Sequence, residues 1–420
     1  MLRHQIAFSA ASAEAILAEL PAASAVLLLR GDTGSEPYVG KSADLRRRLT
    51  RLLGPAEEGS KRLNLRERCR RIEYQTTGSE FESAFLLYRV LRSEFPQNYR
   101  DRLKLRFAPL IKLNLENPYP RAYVTRRVGK LNSTSRYYGP FPSRAGAEKF
   151  MNGVLDFFKM RRCDFELNPD PVFPGCIYSE MKMCLAPCFK GCTDQEYFTE
   201  VRRVQDFFES GGQSLLRELA AERERASEAL QFEQAGAIHA RAEKVRATLG
   251  GTMLPEIVRP IDLLSAVVVQ RSPEANTVEL FKVERGMVSD PMRFTVQFNP
   301  ALISSGSADP DVAAVSAKGE KKIPRSMESR LAESLESIIS AKSASAVELN
   351  EHLALLKRWY YRSRRVGEIF FADEHGGLPL RRVVRGVGRV LHGEKAELGE
   401  TEEAHRAYWL ARTREPEQAP

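Results

Sequence analysis

The sequence predicts an α+β multidomain chain: a small mixed α/β domain, a cysteine-rich metal segment, a helical hairpin and a C-terminal mixed α/β region. Three observations carry this reading. Residues 25–107 alternate short apolar runs with stretches of helical period; five of the six cysteines fall within residues 163–192; and residues 194–249 carry almost unbroken helical signal. With 420 residues, 43% of them hydrophobic, the chain has material for more than one core.

The Ala-rich residues 1–22 read as helix. Val26 to Leu29 reads as a strand, Gly31 to Ser35 as a turn, and Tyr38-Val39-Gly40 as a second strand running into a basic helix that contains Arg46-Arg47-Arg48. A tyrosine hydroxyl beside clustered cations suits a site that cuts or holds a phosphodiester. Tyr38, Lys41 and Arg48 are the candidate catalytic residues. From Lys41 to Arg71 there are eleven Lys/Arg against four acids, within a net charge of +9. Concentrated charge of this kind favours a nucleic-acid partner, with Arg46, Arg47, Arg51, Lys61 and Arg62 as phosphate contacts. The competing reading is an ordinary solvated helix face. Glu80 to Glu94 has apolar residues at helical spacing and stops before Pro96, closing a first domain at residues 1–107.

Residues 108–162 form a connector with a proline-rich turn at Asn117 to Pro120, a strand at Arg121 to Thr125 and an amphipathic helix from about Ala145 to Met160. In residues 163–192, Cys163, Cys176, Cys184 and Cys188 supply four thiolates, the number that closes a zinc site or holds an iron–sulfur cluster. Buried free thiols are the rival reading, and Cys69 and Cys192 are spare. Residues 193–250 contain a hairpin from Leu215 to Leu249 that turns near Gln231-Phe232. Its small residues Ala235 to Ala237 admit a second helix, whether from its own protein or a partner. Residues 256–393 alternate strands at Leu264–Val269, Val278–Val283 and Phe294–Phe298 with a loop at Ser304–Lys322 and a helix at Glu348–Tyr361. Residues 394–420 read as a charged tail. The six histidines have no ligand spacing, and neither a Walker loop nor G-x-G-x-x-G occurs, so nucleotide hydrolysis and dinucleotide chemistry are not indicated. With no apolar run of membrane length and no leader pattern, a cytoplasmic protein without a membrane partner is expected.

Taken in order, four pieces resemble the C subunit of the bacterial UvrABC excinuclease. They are Tyr38-Val39-Gly40-Lys41 through Arg48, Tyr138-Gly139-Pro140-Phe141-Pro142, the block ending Cys184-Leu185-Ala186-Pro187-Cys188, and Phe232-Glu233-Gln234-Ala235. The resemblance implies a GIY-YIG nuclease-type domain with a central antiparallel sheet, incising damaged double-stranded DNA on the 3′ side. It implies a cysteine-bound iron–sulfur cluster or zinc. It also implies a UVR hairpin docking on the B subunit through Phe232, Glu233, Ala235 and Ile238. The family's ribonuclease-H-like and helix–hairpin–helix regions have no counterpart in the sequence. Two departures fall inside the nuclease motif. The family's first tyrosine falls at Leu27, and its metal-binding glutamate at Leu87. A divalent ion needs hard oxygen ligands, which leucine lacks. The resemblance therefore leaves two expectations open: a nuclease using Mg²⁺ or Mn²⁺ with Glu80 or Glu82 as a substitute ligand, or a DNA- and partner-binding scaffold that no longer cuts.

Overall fold

The structure, a computed structural model, describes residues 2–55, 62–131, 133–250, 255–296, 326–339, 345–373 and 375–393. The Ser304–Lys322 loop, the 394–420 tail and Lys61 lie outside the described residues.

The chain opens with β1 (His4–Ala7), α1 (Ala13–Glu19), β2 (Ala25–Arg30), β3 (Tyr38–Ser42), α2 (Leu45–Leu53), β4 (Arg71–Thr76), α3 (Glu80–Glu94) and α4 (Tyr99–Leu103). These strands form an antiparallel sheet in the order β1-β4-β2-β3. The helical reading of residues 1–22 is corrected here: a strand precedes α1. Four residues carry too little periodicity to announce themselves, and pairing with β4 decides their conformation. Alternation along β2 divides the core. Leu27 and Leu29 face α1 and α2 together with Leu45, Leu49 and Leu53. Val26 and Leu28 face Leu86, Leu87 and Val90 of α3.

The middle of the chain supplies β5 (Leu110–Asn114), β6 (Arg121–Thr125), β7 (Arg136–Gly139) and α5 (Arg144–Leu155). The cysteine segment follows, with only a short α6 (Ile177–Glu180) and a 3₁₀ turn at Pro187–Phe189. Then come α7 (Asp194–Glu209), α8 (Gln213–Glu228) and α9 (Phe232–Leu249). A second antiparallel sheet has the order β6-β5-β7-β8, where β8 is Arg259–Pro260.

The last sheet combines β9 (Ala266–Arg271), β10 (Thr277–Glu284), β11 (Met287–Val288), β12 (Met292–Thr295) and β13 (Glu368–Phe371), in the order β11-β10-β9-β13 with β12 also on β10. Its helices are α10 (Met327–Ser337), α11 (Ala346–Tyr360) and α12 (Leu380–His392). One face, with Val267, Val269 and Leu280, packs against α10 and α12. The other face meets α3: Phe281 lies edge-on to Phe81 and Phe85, at 4.9 and 5.9 Å between ring centroids. Helix α3 is thus held between two sheets. Gly78, in the turn before it, passes so close to β9 that a Cβ would stand 2.1 Å from the Arg271 carbonyl oxygen. The polar clamp is Glu351 of α11, fully buried, which accepts from Tyr88 Oη at 2.9 Å and Arg100 Nε at 2.9 Å.

Candidate nucleic-acid interface and cysteine cluster

Strand β3 is the free edge of the first sheet, and α2 follows it directly. Asp44 caps α2, its Oδ1 accepting from the Arg47 N–H at 2.9 Å. This cap sets the rotation of the helix. Leu45, Leu49, Leu52 and Leu53 turn inward, while Arg46, Arg47 and Arg51 are exposed. Arg48, half-buried, donates from Nη2 to the Tyr38 hydroxyl, with its guanidinium carbon 5.9 Å from the ring centroid. The Tyr38 ring folds across Gly40, where a Cβ would meet ring carbon Cε1 at 3.4 Å.

The register separates the three candidate catalytic residues. Tyr38 pairs with Leu29, so it faces α2; Lys41 pairs with Val26, so it faces α3. Tyr38 and Arg48 are brought together, whereas Lys41 forms an ion pair with Glu80 at the start of α3. Glu80 also stands 3.5 Å from Arg362. Glu82 is buried, with Oε2 accepting from the Gly78 N–H at 2.8 Å. Burial, and then the approach of Glu279, push its carboxyl up to about 7. Leu27 is fully buried in mid-sheet, and Leu87 packs half-buried against the sheet's other face. Of the proposed phosphate contacts, Arg47 and Arg51 lie one turn apart on the open face of α2. Arg46 donates to the Leu20 carbonyl at 2.6 Å, which gives it a structural task. Arg62 is exposed, and Lys61 lies outside the described residues.

The cysteine segment folds tightly. Lys182, Ala186 and Lys190 all take positive φ, which turns the chain back on itself repeatedly. Cys163, Cys176, Cys184 and Cys188 are drawn into mutual electrostatic reach. Burial first, then the nearness of the other three thiols, push Cys184 up to about 11, although its sulfur accepts from the Ala186 N–H at 3.3 Å. Cys192 borders the group, and Cys69 is buried in the first domain. Among the described residues no three Cys, His, Asp or Glu side chains close to ligation geometry. One buried cation stands against the group. Arg161 is 1% exposed and donates to the carbonyls of Tyr119 and Phe165, with Nη1 3.6 Å from Cys163 Sγ. Among the described residues no carboxylate is paired with it. A buried guanidinium needs an opposing charge, and thiolates around a metal would supply it. Sequence reading did not single out Arg161 as buried, because an arginine in a cationic run looks like surface.

The hairpin forms as expected, with its turn at residues 229–231. Leu219 and Ala226 of α8 meet Ile238, Ala242 and Val245 of α9 and the core beneath. Ile238, expected on the partner face, is instead buried at 8% exposure inside the hairpin. Ala235 is half-buried against the same core. The tip is different: Leu230 and Phe232 are 71% and 67% exposed beside exposed Glu233.

Comparison with known proteins bears mainly on the middle of the chain. Residues 108–207 match the family described as UvrC/Cho excinuclease, middle domain. UvrABC system protein C of Carboxydothermus hydrogenoformans is 31% identical over 222 residues, 51% of this chain and 35% of that protein. The Methanothermobacter thermautotrophicus protein of the same name is 30% identical, over 55% of this chain and 38% of its own length. That of Syntrophomonas wolfei is 27% identical, over 65% and 44%. No solved structure matches. The aligned regions thus span about 35–44% of the length of these relatives. In its middle domain, and over about half its length, the chain is similar to the UvrABC system protein C of these organisms.

Proposed function

We propose that the chain is a DNA- and partner-binding component of UvrC-type nucleotide excision repair whose nuclease-like site is incomplete for 3′ incision. The observation that carries this is the fate of the two expected chemical groups. Leu27, which the resemblance sets at the tyrosine position, is fully buried, and Leu87, which it sets at the metal carboxylate, packs on α3. Neither nearby acid substitutes well: Glu80 is ion-paired to Lys41, and Glu82 is buried, with its carboxyl pushed up to about 7. What remains, Tyr38, Arg48 and the open arginines of α2, can hold a phosphate. Duplex DNA would lie along Arg47 and Arg51, and its affinity would fall steeply with salt as counterions are released. The exposed tip at Leu230, Phe232 and Glu233 would dock on the B subunit of the excinuclease. The four cysteines would hold an iron–sulfur cluster or zinc, with Arg161 balancing its charge.

One observation favours the alternative, an active 3′ nuclease. Glu80 lies beside Lys41 on the face of α3 that Leu87 shares, and it could ligate Mg²⁺ or Mn²⁺ once Lys41 moves. The discriminating assay is incision of a lesion-bearing duplex with the A and B subunits and either metal. No cutting by the native chain supports the scaffold; cutting that Arg48→Ala and Glu80→Gln both abolish overturns it.

A further inference from the structure

The cleft that replaces the missing metal ligand has a chemistry of its own. It has a volume of about 430 Å³ and lies between the first domain and α11, within the range of about 300–1,000 Å³ typical of small-molecule sites. Four cations line it: Lys41, Arg102, Arg358 and Arg362. Glu80 is the lining carboxylate, and Glu36 pairs with Arg102 from outside. Arg358 is the cation to notice. It is held in place by donating to the carbonyls of Leu103 and Lys104, at 3.3 and 2.9 Å. Among the described residues no carboxylate is paired with it. The four cations are at the solvent side, each exposed, whereas Leu103 and Leu355 are 8% and 3% exposed and Leu87 is half-buried. The cleft is therefore apolar inside and cationic at its mouth.

We propose that this cleft is a metal-independent site for a phosphorylated nucleoside. The phosphate sits at Lys41, Arg358 and Arg362, and the base lies against Leu87, Leu103 and Leu355. A phosphomonoester carries about −1.5 to −2 at neutral pH and takes several donors, which Lys41, Arg358 and Arg362 supply at the mouth of the cleft. Glu80 is released from Lys41 or Arg362 as the phosphate takes its place. Leu87 then has a role that a carboxylate at that position would defeat: it adds no second negative charge beside Glu80 and offers the base an apolar wall. The C-terminal region contributes Arg358 and Arg362, so neither the first domain nor α11 makes the site alone. The repair reading above bears only on the source of the phosphate, a DNA strand end or a free nucleotide.

The test is calorimetric titration of the full chain in EDTA with four probes: thymidine 5′-monophosphate, thymidine, and thymidine decamers with and without a 5′-phosphate. Thymidine monophosphate should bind and thymidine should bind at least about tenfold more weakly. Arg362→Glu and Leu87→Glu should each weaken the monophosphate by about tenfold or more, with thermal melts confirming folded protein. Should either charge-introducing variant fail to fold, Arg362→Gln gives a smaller loss in the same direction. A phosphorylated decamer that outbinds the monophosphate marks a strand end as the source, and equal affinities mark a free nucleotide. Equal binding of thymidine and its monophosphate, absence of binding up to about 10 mM, or folded variants with unchanged affinity overturns the proposal. Duplex binding measured in parallel separates the two readings. If duplex binding survives while the monophosphate fails, the cleft proposal falls alone; the reverse result removes the α2 interface and leaves the cleft.

Discussion

Glu82 should make the stability of this protein fall between mildly acidic and neutral pH. Its carboxyl lies at 2% exposure between α3 and the last sheet, with Oε1 unpartnered and Oε2 on the Gly78 N–H. Glu279 faces it from β10, itself raised by burial, and Arg3 acts on both in the opposite sense. Burial raises the Glu82 carboxyl from 4.5 to about 7. The folded chain therefore holds a proton that the unfolded chain has already lost. Stability from this group is complete below pH 4.5, declines as the pH rises, and is gone once the folded carboxyl has titrated near 7. At about 1.4 kcal/mol per pH unit of separation, the loss is about 3 kcal/mol. His352 runs the other way. Burial lowers it to about 4, so its contribution is lost as the pH falls below 6.5, and the native curve alone would blur both effects. The measurement is urea unfolding from pH 4.5 to 8.5 on the native chain and on Glu82→Gln, read as the difference between them. The glutamine keeps the Gly78 hydrogen bond and cannot ionise. The variant should gain on the native protein as pH rises, by up to about 3 kcal/mol. Parallel curves for the two proteins would refute the argument.

Four further outcomes follow from the same geometry. Glu351→Ala removes the buried acceptor of Tyr88 and Arg100 and should cost about 3–5 kcal/mol in denaturant unfolding, the range for a broken buried pair. Arg161→Met should strip the metal or cluster from the cysteine segment, read by elemental analysis and absorbance, while Arg162→Met should leave it loaded. Arg47→Ala and Arg51→Ala should each lower the slope of log affinity for duplex against log salt by about 1, with little change in sequence preference. Phe232→Ser should weaken capture of the B subunit without altering the melting temperature, because the ring is exposed at the tip; Ile238→Ser should lower the melting temperature as well.

Local signals in the sequence were faithful where they were strong. Helix α3 runs from Glu80 to Glu94 as its periodicity predicts, because Ser79 caps it, accepting from the Glu82 N–H at 3.1 Å, and Pro96 closes it. The hairpin turn was equally legible: an exposed Leu-Gln-Phe between two helical stretches has few other readings. Strand β1 was missed because its partner β4 lies far along the chain. The splitting of Tyr38 and Lys41 onto opposite faces follows from strand alternation, yet their proximity in sequence suggested one site. Ile238 is covered within its own hairpin, and an apolar residue on a helix does not announce which neighbour covers it. Arg358 and Arg362 escaped notice for a deeper reason. Their meaning depends on a contact between residues some 250 positions or more apart, such as Arg358 on the Leu103 carbonyl, and no local pattern encodes that.

The position of α3 between two sheets bears on how this protein can be taken apart. Phe81, Phe85 and Tyr88 point away from the first sheet into the last one and α11. A fragment cut after residue 107 would expose those three rings to water and tend to aggregate. The calorimetric melt of the full chain should accordingly be one peak in which first domain and last sheet unfold together. The same coupling restricts substitution: a carboxylate introduced at Leu87 would have to be accommodated by two sheets at once.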